Sequence, residues 1–197
     1  MSVLNNTGIR MGASGASGAS WEYWEGMGDN WNGSGTTTSD SDDYINRALP
    51  SDGKVYWEVT LGALSTFENI GLQTGASGLG EGYNDSTVGY YYNGNPPIFL
   101  SNGGGGKQVN HGSTTGTTWV AGKKLMFAWD STGGDSNGLF YLGYDGTWYN
   151  SGDPEAGTGA CWDEMDTTVS WYMKTGYDSG DGIPITNVAS ASQEFMP

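Results

Sequence analysis

The chain has 197 residues, with 22 Asp and Glu against seven Lys and Arg and a formal net charge of −15. That is one domain's length of chain, with no basic stripe to hold a nucleic acid backbone. One cysteine and one histidine exclude a disulfide framework within the chain and a zinc site built on paired imidazoles.

Thirty-five glycines stand beside nine Trp and twelve Tyr. Each large ring can bury roughly 150–250 Å², and glycine serves tight turns and close backbone approaches. An all-β fold with an aromatic core is therefore expected. Residues 1–20 read as an N-terminal arm, and 21–197 as one β-sandwich domain. The arm carries Val3, Leu4, Ile9 and Met11 and then "GASGASGAS". Three glycine repeats without proline are too few for a collagen helix and suit an extended connector. No run reaches membrane-spanning length, and the opening residues lack the apolar centre of a signal peptide. Assembly in the cytoplasm, with no membrane partner, is the expectation.

Aromatic density rises from Trp21, and "SGTTTSDSDDY" (34–44) follows. Asp40, Asp42 and Asp43 supply the oxygen ligands a hard cation takes, but the calcium-loop spacing is missing, so a solvated loop is preferred and no metal is assigned. In "GKVYWEVTLG" (53–62), Val55, Trp57, Val59 and Leu61 alternate with Tyr56, Glu58 and Thr60, the period of a half-buried strand. "NIGLQTG" (69–75) reads as a second strand. "STVGYYYNGNPPIFL" (86–100) reads as a third, interrupted at Asn93-Gly94 and Pro96-Pro97, because proline cannot sit in a central strand. "KKLMFAWD" (123–130) and "GLFYLGYDG" (138–146) flank a Gly-rich turn as a hairpin, and "TTVSWYMKTG" (167–176) is a late strand. Short strands separated by turns, with no capped helical period, predict an antiparallel β-sandwich.

The order of these landmarks resembles a SPRY-type, concanavalin A-like jelly-roll sandwich, closest in kind to those of bacteriophage virion proteins. The likeness spans roughly residues 50–180. It comprises the G-K-x-Y-x-E-V strand, the I-G strand, an aspartate ending a strand before a hairpin, and an N-G-x-W turn leading into G-D-P. Asp145-Gly146-Thr147-Trp148 stands in place of N-G-x-W. The opening "SVLNNTGIRMGASG" is similar to the starts of marine and cyanobacterial phage structural proteins.

The resemblance implies a non-enzymatic virion structural protein on the phage exterior, first a capsid decoration protein or head fibre. A tail or tail-fibre component binding host-surface carbohydrate is the alternative, and a glycoside hydrolase of the same sandwich the third reading. The implied partners are a major capsid or tail protein, further copies of the chain on a lattice, and a cell-surface glycan. Ile9, Arg10 and Met11 are the expected anchor.

A retaining hydrolase needs two carboxyls about 5–5.5 Å apart. Glu164 and Asp166 share a strand face by spacing, but Thr168 and Val169 stand where the third acid would be, and Glu58 would have to be brought in from another strand. His111 lies in a loop-like context without a nucleophile elbow, and "NGGGGK" lacks the phosphate-loop spacing. No catalytic residues or cofactor are assigned. A buried structural thiol is the preferred reading of Cys161. For sugar binding, Tyr90, Tyr92, Asn93 and Trp148 are the candidate ligand-facing residues, with Asn95 and Tyr149 beside them. These rings serve either as a stacking platform or as core, and core is preferred.

Overall fold

A computed structural model describes residues 21–23, 43–61, 68–74, 87–92, 94–102, 107–108, 114–133, 137–176 and 185–186. In chain order the strands are β1 (Trp21–Tyr23), β2 (Asp43–Ala48), β3 (Lys54–Leu61), β4 (Glu68–Thr74), β5 (Thr87–Tyr92), β6 (Ile98–Asn102) and β7 (Lys107–Gln108). They continue with β8 (Lys124–Asp130), β9 (Gly138–Tyr144), β10 (Thr147–Trp148), β11 (Trp162–Met165), β12 (Trp171–Gly176) and β13 (Ile185–Thr186). Among the described residues there is no α-helix, and one 3-10 turn spans Tyr149–Ser151.

The strands form two sheets. The larger runs β1-β3-β8-β9-β11-β7, with β10 also paired to β9 and β13 to β3; the smaller runs β2-β12-β4-β5-β6. All pairings are antiparallel except β1 with β3. The expected β8–β9 hairpin is present, in register from Leu125↔Tyr144 to Asp130↔Leu139. Asp130 closes it: one carboxylate oxygen accepts from the Thr132 backbone N–H and hydroxyl at 2.8 and 2.7 Å, and the other pairs with Lys54 at 2.8 Å. Such local side-chain bonds are how Asp turns a chain.

The sheets pack face to face through rings, as the aromatic composition implied. Tyr90 of β5 meets Phe127 of β8, Phe99 of β6 meets Trp162 of β11, and Trp171 of β12 meets Trp129 of β8. Val55, Trp57, Val59 and Leu61 of β3 point into this core.

The other face of β3 corrects the half-buried expectation. Tyr56 and Glu58 are 0% and 2% exposed. Tyr56 joins Met126, Ala128, Leu139, Tyr141 and Ala160 in a second apolar cluster on the outer face of the large sheet, with Trp21 and Trp148 at its margin. Glu58 tolerates burial because the Tyr56 hydroxyl donates to one carboxylate oxygen and Lys124 pairs with the other at 2.9 Å. A buried carboxylate without such partners would be costly.

In the smaller sheet Gly71 and Gly89 lie opposite each other. A Cβ on Gly71 would fall 1.9 Å from the Val88 carbonyl oxygen, so this close approach requires glycine. The expected late strand is shorter than its sequence suggested. Residues 167–170 form a turn in which Asp166 accepts from the Thr168 N–H and hydroxyl, and Trp171 Nε1 donates to the Asp166 carbonyl.

Candidate functional site

Asp145 and Gly146 both have positive φ, 47° and 86°, which makes the two-residue turn between β9 and β10 a mirror-image turn suited to strand twist. Strand alternation beyond it sends successive residues to opposite sides. Trp148 goes to the outer cluster, its ring edge-on to Tyr56 and Tyr141 at 6.0 and 6.2 Å. Thr147 and Tyr149 go to the other side, where a cavity of about 290 Å³ is lined by Thr117, Tyr144, Asp145, Thr147 and Tyr149.

Each wall of this cavity is held in place. Thr117 belongs to a loop fastened to the β5–β6 connection. The Asn95 amide there donates to the Trp119 carbonyl at 3.1 Å and accepts from its N–H at 2.7 Å, and the Thr115 N–H donates to the Pro97 carbonyl at 2.7 Å. The Asn95–Pro96 peptide in this connection is cis.

Tyr144 accepts from the Val120 N–H at 3.0 Å through its hydroxyl oxygen. Asp145 Oδ2 pairs with Lys123 Nζ at 2.7 Å. Tyr149 stacks edge-on against Tyr90 and Phe99 at 5.9 and 5.5 Å. Its hydroxyl is enclosed with no partner at hydrogen-bonding geometry. Burial raises its pKa, and the nearby Thr117, Trp119 and Thr115 side chains partly offset that rise. Beyond it, Asn150 and Ser151 both take left-handed backbone, at φ 57° and 53°. The Asn150 side chain donates to the Ala160 carbonyl at 3.0 Å. Non-glycine residues in this region cost of order 1–3 kcal/mol each and cluster at functional sites.

The candidate residues divide among several places. Tyr90 is fully buried, its hydroxyl donating to the Gly143 carbonyl at 3.2 Å. It offers no face to a ligand, because a ring at the centre of an aromatic core is surrounded by other rings. Trp148 is half-buried and packs on the outer cluster, away from the cavity. Asn95 uses both ends of its amide on Trp119. The backbone of Tyr92 pairs with Glu68, while its side chain, Asn93, His111 and the arm residues Ile9, Arg10 and Met11 lie outside the described residues, as do Asp40 and Asp42. Asp43 opens β2 rather than a loop. Cys161 is buried, and burial pushes its thiol up to about 12.

The carboxylates of the hydrolase reading do not share a strand face. Glu164 sits at a register break with φ 58°, so the period-two spacing to Asp166 is lost. Asp166 is past the strand end, and its bonds from the Thr168 hydroxyl and N–H hold its pKa below the usual value. Between β3 and β11 lie β8 and β9. That puts Glu58 ~14 Å from β11 at ~4.8 Å per strand, beyond the about 5–9.5 Å that glycosidase carboxyl pairs span.

Of the residues lining the cavity, only Tyr149 stands among the sequence candidates, beside Trp148; Asp145 and Thr147 enter the sequence only as part of the turn motif, and Thr117 and Tyr144 carry no signal there. The signal for Asp145 and Thr147 was the Asp-Gly turn itself, after which alternation puts Thr147 opposite Trp148. Compared with known proteins, the chain matches no family model and no curated sequence.

Proposed function

We propose that this chain is a non-enzymatic structural component of a bacteriophage exterior, a capsid decoration or head-fibre protein built on a SPRY-type, concanavalin A-like jelly roll. One observation supports the reading. The segments that resemble such domains fall on neighbouring strands of two packed sheets, β3, β8 and β9 in one and β4 and β5 in the other, and Asp130 closes the hairpin at the position the resemblance marks. The separation of Glu58 from β11 adds support for a binding module over a hydrolase.

The test is mass spectrometry and cryo-electron microscopy of purified particles from the phage encoding this chain. Many copies on the capsid lattice are expected. Absence of the chain from purified particles overturns the reading. A tail component that binds host carbohydrate is the second reading, favoured by the cavity beside the β9–β10 turn. A few copies at the tail tip would select it over decoration.

A further inference from the structure

We infer that the cavity bounded by Thr117, Tyr144, Asp145, Thr147 and Tyr149 is a binding site for a single neutral pyranose ring. The inference concerns the folded chain alone and stands apart from its assignment to a particle.

Size narrows the ligand first. Pockets for drug-sized molecules run from roughly 300 to 1,000 Å³, so the cavity's about 290 Å³ admits one sugar ring rather than a long oligomer. Chemistry narrows it further. The Tyr149 hydroxyl is enclosed, so that residue presents ring carbon, the surface on which the C–H face of a pyranose packs. Around it stand groups suited to sugar hydroxyls. The Tyr144 oxygen is occupied as an acceptor by the Val120 N–H, which leaves its O–H to donate. Asp145 holds Lys123 through Oδ2, leaving Oδ1 to accept. Thr117 and Thr147 carry hydroxyls that do both.

Other ligand classes fit less well. An anion would meet the Asp145 carboxylate in a chain of net charge −15, and the nearby Lys123 ammonium is already paired. A divalent cation would find one carboxylate where several oxygen ligands are needed. An apolar ligand would cover the Oδ1 of Asp145 and the threonine hydroxyls without offering them a hydrogen bond.

The walls are also set before any ligand arrives. The Asn95 clamp fixes the Thr117 loop, the Asp145-Gly146 turn fixes Tyr144 against Thr147, and left-handed Asn150 and Ser151 fix the exit from Tyr149. Strain held in place by surrounding bonds at the rim of a cavity is the pattern of a functional site.

The test is saturation-transfer NMR on the full chain with the methyl glycosides of glucose, galactose, mannose and N-acetylglucosamine, followed by titration of any that respond. Two variants accompany it. Asp145→Asn keeps a residue that tolerates left-handed backbone and removes the charged acceptor. Thr147→Tyr keeps strand propensity and fills the cavity. At least one glycoside is expected to respond, with affinity about tenfold weaker in Asp145→Asn and no response in Thr147→Tyr. A melting temperature within about 4 °C of the parent identifies a folded variant. If Thr147→Tyr does not fold, Asp145→Asn decides.

Silence from all four glycosides overturns the inference, as does undiminished binding in the folded variants. Binding without the chain on particles would sink the virion reading alone; chain on particles without binding would sink this one alone.

Discussion

The Tyr90 hydroxyl reaches from β5 of the small sheet to the Gly143 carbonyl of β9 in the large one, 3.2 Å away. It thereby joins the two layers through the middle of the core. Its ring is ringed in turn by Trp119, Phe127, Tyr149 and Phe99. Tyr90→Phe should lower unfolding free energy by about 1 kcal/mol, the worth of one hydrogen bond. Tyr90→Ala should cost about 3–5 kcal/mol through the cavity it leaves. Urea unfolding distinguishes the two. An alanine variant as stable as the parent would contradict the core role.

Lys124 and Glu58 form a second test. Lys124→Met removes the ion-pair partner of a carboxylate that is 2% exposed, and breaking a buried pair in this way typically costs about 3–5 kcal/mol. The low end is expected, because the Tyr56 hydroxyl still donates to Glu58. Adding Glu58→Leu should recover most of the loss, since no charge is then left uncompensated. Denaturation midpoints of the single and double variants measure the difference.

Alkaline pH should destabilise the chain in a defined window. Burial raises Cys161 from 9.0 to about 12 and Tyr90 well above 10.0, and it raises Tyr149 as well. A folded-state pKa above the unfolded one means the folded chain holds its proton more tightly. That stability is complete below pH 9 and is lost as pH climbs through the raised values. Denaturant midpoints should be flat from pH 7 to about 8.5 and fall steeply above about 10. Absorbance at 295 nm should show the buried tyrosines ionising together with unfolding rather than before it.

The arm carries the assembly prediction. If the chain has the proposed decoration role, replacing Ile9 and Met11 with Asp should abolish incorporation into particles and leave the sandwich's melting temperature unchanged. Particle sedimentation followed by immunoblotting reads the first, and circular dichroism of the free chain the second. Normal incorporation would remove the arm from the anchoring role.

Much of the fold was legible because it is written locally. Alternation in Val55–Leu61 marked β3, Pro96-Pro97 separated β5 from β6, and the glycines after Asp130 marked the hairpin. The burial of β3 on both faces was not legible. Tyr56 and Glu58 read as solvent-facing polar residues, and what buries them is a cluster drawn from β8, β9 and Ala160 together with Lys124. Glu164 escaped for a related reason: its left-handed backbone breaks the period that its spacing suggested. The cavity was hidden because Thr117 and Tyr144 meet only through tertiary packing, and no periodicity links residues so placed.

Thr147, Trp148 and Tyr149 send neighbouring side chains to two different sides of the large sheet. One short segment is therefore both a wall of the cavity and a plug in the outer cluster. Folding has already fixed it on both sides, so a ligand reaching Tyr149 has little chain left to immobilise. Its association should proceed as docking to a standing surface, with heat and rate set by displaced water and contact rather than by ordering of the protein. A substitution on the far side, such as Trp148→Ala, should then be felt in the cavity as looseness, though Trp148 touches nothing that enters there.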